Sequence, residues 1–507
     1  MAKYFRAMEL SNESMNPSIH EQSELSRRHV ISSGLSIWMC TLLAASAFTM
    51  TPAHAQQTPK NIIILFADGA AATQMEFGRY SSELLRGQPF AVTSEVMRHG
   101  TLGLMSTLSN NAYVTDSAAA ASAMSTGHKT NNGAIATTPQ GAAPATLLQD
   151  ARKQGKKIGL VTTSMLYDAS PAAFSVNAKS RRDYEFIVNQ YLTLAPEVLL
   201  GGGADYFKPD GIDGGKRKDK QDVVEAFRKQ GYAVATKTAD LDNPLQKSNP
   251  KLLGLFANEA MDFAIDRDAA KQPNLAEMTS SALKVLSATP SKGFVLFVEN
   301  ENTDTAGHDN DVGALMHELW AFDDAVKVAL AFRNKHPDTL VIVTGDHETG
   351  GFSPTSAQRP KGSGSLVVNA DMMRVIGGFK MSFQEISDRM EAKAKEGADA
   401  NAVMTYLQEL IQRNLPSMQM DEEVKALILN KQPPSLNIRH HHAPPTAAAA
   451  LGLMVARQTG FYWGTSGHTS EPVTVSAIGP GAALFKGYQD NTDFARNLRR
   501  LLGLNGK

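Results

Sequence analysis

An α/β sandwich built on a mostly parallel sheet is the fold class this sequence predicts, and three observations lead there. Four short apolar runs, Asn61–Ala67 (NIIILFA), Ile158–Thr163, Phe294–Val298 and Thr339–Thr344, have the length and continuity of strands buried on both faces. Helical patterns separate them, as parallel neighbours require. Polar, Gly or Asp residues follow the runs, and in such sheets ligands collect beyond the carboxyl ends of the strands.

The first 55 residues read as an export signal rather than as fold. Ser26-Arg27-Arg28 precedes an apolar segment from Val30 to Phe48, and Ala53-His54-Ala55 offers a cleavage site before Gln56. The paired arginines after a long polar leader favour the twin-arginine type over a general secretory signal that happens to hold two arginines. Both routes imply a periplasmic or secreted protein with no stable membrane insertion after the signal is removed. The single cysteine, Cys40, lies inside the signal. Disulfides and thiol chemistry are therefore not expected in the mature protein.

Residues 56–507 can bury a large core, with 42% hydrophobic residues in the whole chain. The net charge of −1 gives no electrostatic footprint for specific nucleic-acid recognition. A helix is expected from about Asp311 to Phe332, with Leu315, Leu319, Phe322 and Val326 on one face. Val473–Ile478 is a candidate late strand. Gly201–Gly203, Gly211, Gly214 and Gly215 read as loops. From about 353 to 463 the texture changes: a KGSGS start, amphipathic patterns around Ser382–Lys395 and Asn401–Leu415, Pro433-Pro434, His440-His441-His442 and an alanine run. We read this as a largely helical insertion between the last buried strands.

The segment Val114–Thr130, VTDSAAAASAMSTGHKT, predicts a short alanine-rich helix with Ser117 in its first turn and Gly127 at its end. A helix N-terminus gathers unpaired N–H groups and a positive dipole end, which suits an oxyanion. On this segment alone, a simple capping role for Asp116 or Ser117 stands beside a catalytic one.

Reactive side chains crowd one rim of the sheet. Asp68 follows the first run, Glu299 the third and Asp346-His347 the fourth. Asp168 and Ser170 lie a few positions beyond the second. Asp304 and His308 are spaced to share a helix face, and His468 sits in GTSGHTSEP. Carboxylate and imidazole mixtures bind zinc or similar metals, and an oxygen-only subset suits magnesium. His440–His442 is a compositional hint of an accessory metal, with a solvated loop as the plainer reading.

With these pieces together, the sequence resembles the alkaline phosphatase family across essentially all of the mature chain. The matching motifs are ADGA at Ala67–Ala70, VTDSAAAASAMSTGHKT, the VE…D…GH pattern from Val298, TGDHETGG and the late Gly467-His468. The resemblance implies a three-layer sandwich and a homodimeric hydrolase of small-molecule phosphate monoesters, with two zinc ions and one magnesium per subunit. By the same resemblance Ser117 is the nucleophile that becomes phosphorylated. Asp304, His308 and His468 would hold one zinc; Asp68, Asp346 and His347 would hold the other. Asp68 would bridge to magnesium, completed by Glu299 and Ser170, with Asp168 in its outer shell. Arg181 stands at the spacing of the arginine that forks onto phosphate, although Arg182 beside it competes for the role. Asp116 would position Arg181 or the helix start.

Two departures matter. Thr305 stands where relatives place lysine, histidine or tryptophan, and Asn300 replaces a frequent glycine. Alternatives to a monoesterase are a phosphodiesterase or sulfatase-like hydrolase of the same superfamily, and a catalytically silent phosphate-binding homologue.

Overall fold

The computed structural model describes residues 58–243, 248–358, 364–431 and 446–504. The expected export signal and His440–His442 lie outside the described residues. Residues 55–507 form one unit organised around a ten-stranded sheet. Its strands in chain order are β1 (Asn61–Ala67), β2 (Thr101–Ser106), β3 (Lys157–Met165), β4 (Val198–Gly202), β5 (Ala233–Ala235), β6 (Leu252–Leu255), β7 (Phe294–Asn300), β8 (Thr339–Thr344), β9 (Val473–Ile478) and β10 (Gly487–Asp490). From edge to edge the order is β10-β2-β9-β8-β1-β7-β3-β4-β6-β5.

Strand β1 shows why the sheet forms. All seven of its residues are buried, and it pairs in parallel with β7 on one side and β8 on the other. Side chains alternate across the pleat. Ile63, Leu65 and Ala67 enter one core, whereas Ile62, Ile64 and Phe66 enter the core on the opposite face. The first core is roofed by the helix Val312–Lys335 through Leu315, Leu319, Phe322 and Val326. The second is roofed by Ser117–Thr126 and Ala169–Ser175. The result is a three-layer α/β sandwich.

The sheet is mixed at one end, because β9 runs antiparallel to both β8 and β2. One expectation is corrected: Gly201 and Gly202 belong to β4 rather than to a loop. A Cβ on Gly202 would stand 2.1 Å from the carbonyl oxygen of Glu259, so backbone packing requires glycine there. Gly203 follows with φ +90°, a conformation that glycine adopts at little cost.

Among the described residues, the segment 353–463 carries the helices Ala370–Gly377, Phe383–Lys395, Ala400–Asn414, Glu422–Leu429 and Thr446–Thr459. Two core carboxylates hold the start of the second of these. Asp311 Oδ2 accepts from the Phe383 amide at 2.6 Å, and Asp266 Oδ1 accepts from the Ser382 amide at 3.1 Å. No helix among the described residues is long and apolar enough to cross a membrane.

Candidate active site

The helix Ser117–Thr126 is ten residues of mostly alanine and serine, all buried. Asp116 caps it: Oδ1 accepts from the Ala119 amide at 2.9 Å. Gly127 closes it with φ +75°, its amide donating to Ala123 O. This fixes Ser117 in the first turn, with its Oγ 3.1 Å from His347 Nε2. The second oxygen of Asp116 accepts from Gly133 N at 2.9 Å and faces Arg181 at 3.5 Å.

Two acid–imidazole clusters meet around that serine. In one, Asp68, Asp346 and His347 bring one ligand atom each within 4.8 Å of one another. The strand register explains it: β1, β7 and β8 end level, so the residues just past β1 and β8 converge. His347 Nε2 lies 3.1 Å from Asp346 Oδ2 and 3.6 Å from Asp68 Oδ1. The other cluster comprises Asp304, His308 and His468. Asp304 and His308 lie on the short helix Asn302–His308, with Nε2 and Oδ2 at 3.0 Å. His468 stacks on His347, ring centroids 3.7 Å apart, and its Nε2 is 3.3 Å from that of His308.

Backbone carbonyls orient both outer histidines. His308 Nδ1 meets Ser466 O at 2.7 Å, and His468 Nδ1 meets Thr115 O at 2.8 Å. A carbonyl only accepts, so each Nδ1 carries a proton and each Nε2 is the ring atom turned to the cluster.

A third group is all oxygen. Ser170 Oγ donates to Asp68 Oδ2 at 3.1 Å, and Thr162 donates to Glu299 Oε2 at 2.5 Å. Asp168 accepts from Ser164 at 2.8 Å and pairs with Arg181 at 3.0 Å. Arg181 is thus held between Asp168 and Asp116, while Arg182 is exposed. Lys129, just past the end of the helix Ser117–Thr126, pairs with Asp490 at 2.9 Å and donates to Leu108 O at 2.7 Å.

Electrostatics test whether cations fit here. Asp68 Oδ1, Glu299 Oε1 and Asp346 Oδ2 are buried and accept no hydrogen bond. Burial, then repulsion from Asp346, Asp304 and other acids, pushes the Asp68 carboxyl well above its ordinary range. Burial drives Glu299 the same way, with Asp168 and Glu301 adding to it against the hydrogen bond from Thr162. Burial also pushes Asp304 up, but the neighbouring imidazoles, His308 foremost, outweigh it and hold that group well below. Burial and the adjacent His347 keep His468 well below its usual value. Crowded acids with orphaned oxygens, beside imidazoles that present Nε2 once deprotonated, are the donor set of divalent metals. The residues fit.

Some participants were missed from sequence. Glu301, two positions past Glu299, leaves a buried Oε2 without a partner, and its Oε1 accepts from Thr305 at 3.0 Å. Thr349 donates to Asp304 and lies 3.3 Å from His347 Nδ1. Glu301 carried a signal in its proximity to Glu299; Thr349 carried none.

A family model described as alkaline phosphatase matches residues 59–504. The chain is 32% identical over 465 residues to Alkaline phosphatase 3 of Bacillus subtilis (strain 168), covering 89% of this chain and 91% of that protein. Solved structures agree. The Thermus thermophilus alkaline phosphatase superposes with a TM-score of 0.76 at 29% identity, covering 92% of this chain and 97% of that one. The cold-active alkaline phosphatase of a psychrophilic Shewanella sp. gives 0.69 at 31% identity, covering 87% and 99%. Such a fold and match define the class, a metal-dependent hydrolase of phosphate esters. The chain belongs to the alkaline phosphatase family and is a phosphomonoesterase.

Proposed function

We propose that this chain hydrolyses phosphate monoesters by transferring the phosphoryl group to Ser117 and then to water. The observation that carries the reading is the position of Ser117 Oγ: at a helix N-terminus, 3.1 Å from His347, where the two acid–imidazole clusters adjoin. Asp304, His308 and His468 would hold one zinc, and Asp68, Asp346 and His347 the other. Asp68, Glu299 and Ser170 would hold magnesium. Bound there, such ions supply Lewis-acid polarisation and lower the pKa of a hydroxyl or water.

The protein's own groups do the rest. Asp116 caps the helix and so fixes the direction of the Ser117 hydroxyl. Arg181 presents a planar fork that matches two phosphate oxygens, and Asp116 with Asp168 keeps that fork aimed. Ser117 Oγ displaces the alcohol from phosphorus; water then breaks the phosphoserine bond and frees inorganic phosphate. Thr305 turns its hydroxyl to Glu301, so no basic side chain from that position reaches the phosphate.

The test compares turnover of nitrophenyl phosphate with bis-nitrophenyl phosphate. A monoester preference is expected, and a diester preference would overturn the assignment.

Three wider readings belong to this proposal. Residues 1–55 act as a twin-arginine export signal, placing the mature enzyme in the periplasm or outside the cell. Residues 56–507 form one catalytic domain into which 353–463 is inserted. The enzyme works as a homodimer. The edge pair β2–β10 supports that reading, because Tyr488 faces Leu104 across it and both are exposed, as is Leu102. Leu104→Glu with Tyr488→Glu is expected to yield monomers by sedimentation; an unchanged mass would move the interface elsewhere.

A further inference from the structure

The segment that follows Arg181 in the chain lines an open cavity of about 560 Å³, within the usual size range for small-molecule sites. Tyr184, Tyr206 and Phe186 line it together with Lys179 and Arg182. Sequence and packing tie it to the reaction centre. Arg182 follows Arg181 directly, and the Tyr184 ring packs 4.8 Å from that of Tyr167, the residue before Asp168. Tyr206 completes a cluster of three rings, 5.1 Å from Tyr167 and 4.9 Å from Tyr184. Tyr167 is anchored by donating to Asp205 at 2.6 Å.

The charges at this cavity are unevenly committed. The two acids that line it turn to backbone amides: Asp183 accepts from Ser180 N at 3.1 Å, and Glu185 from Lys218 N at 2.6 Å. Lys179 and Arg182 make no ion pair within 4.0 Å among the described residues. Both are exposed, as is the ring of Phe186. Aromatic side chains beside two cations that make no ion pair favour a ligand with both a flat ring and a negatively charged group.

We propose that this cavity is a leaving-group subsite, taking the alcohol part of esters that carry both a flat aromatic ring and a second anion, as in a nucleoside bisphosphate. The ring lies against Tyr184 and Tyr206, and the second anion meets Lys179 and Arg182. The subsite rests on the monoesterase reading and adds selectivity to it.

The test uses the full-length, metal-loaded enzyme and three esters: glycerol phosphate, phenyl phosphate and adenosine bisphosphate. What is read is each ester's kcat/KM divided by that for glycerol phosphate, in wild type and variants. Lys179→Ala with Arg182→Ala, both exposed, is expected to lower the bisphosphate ratio about tenfold and to spare the phenyl ratio. Tyr184→Leu is expected to lower both ratios about fivefold. A bisphosphate ratio within about twofold of wild type in the double variant would overturn the subsite. A wild-type enzyme that cleaves none of the three esters sinks the hydrolase reading first, and the subsite with it.

Discussion

At the scale of single residues, the site couples order and reactivity through a few hydrogen bonds. Ser117→Ala is expected to lower kcat at least about a thousandfold. Folding should survive, because Asp116 makes the cap and alanine favours helix. Thermal denaturation beside the rate would separate the two effects. Arg181→Lys keeps the charge but loses the fork, so kcat/KM should fall about tenfold to a hundredfold. An unchanged kcat/KM would remove Arg181 from phosphate binding.

Asp68, Glu299, Asp346 and His347 were legible one by one in the sequence because they sit where strands end, and Asp304 with His308 by their helical spacing. Spacing favoured Arg181 over Arg182 but gave no physical reason for the choice. Sequence spacing cannot show that Asp116 and Asp168, 52 residues apart by number, close on the same guanidinium. Glu301 was overlooked for a related reason: which carboxylates crowd together is settled by packing across β3 and β7.

At the scale of elements, legibility followed burial. β1 and β8 were read to the residue, since a fully buried parallel strand is a continuous apolar run bounded by polar residues. β2 alternates exposed and buried positions at the sheet margin, and β4 and β6 are four or five residues containing glycine. Such strands leave little periodicity to read. The helix Ser117–Thr126 announced both of its ends, by Asp116 and Gly127.

Docking of the helix Phe383–Lys395 on Asp266 and Asp311 carries a pH signature. Burial raises Asp266 to about 6 and Asp311 to about 7. A raised folded-state pKa means stability that is full below the unfolded value of about 4 and lost as pH rises through about 6. Asp266→Asn keeps an acceptor for Ser382 N and removes the charge. Its Tm should match wild type near the unfolded pKa and exceed it by a few degrees at mildly alkaline pH. An equal difference at both pH values would show that ionisation is not the cause.

At the scale of the whole molecule, metals and fold are linked. Asp68 and Glu299 are both held well above their ordinary range, by burial first and then by repulsion from neighbouring acids. In metal-stripped protein those groups favour folding only while protonated, so its stability drains away as pH rises above about 4. Cations paired with the ionised acids reverse that penalty. Chelation should therefore lower Tm, and the gap to the reloaded enzyme should widen from acid to alkaline pH. Differential scanning calorimetry at several pH values checks it; a gap independent of pH would contradict the link.

The central claim is that the phosphoryl group passes through Ser117. Rapid acid quenching during turnover of a phosphorus-labelled monoester, followed by peptide mapping, tests it most directly. The account predicts label on the peptide holding Ser117 and none on that peptide in Ser117→Ala. Label on another residue, or equal labelling of the variant, would contradict it.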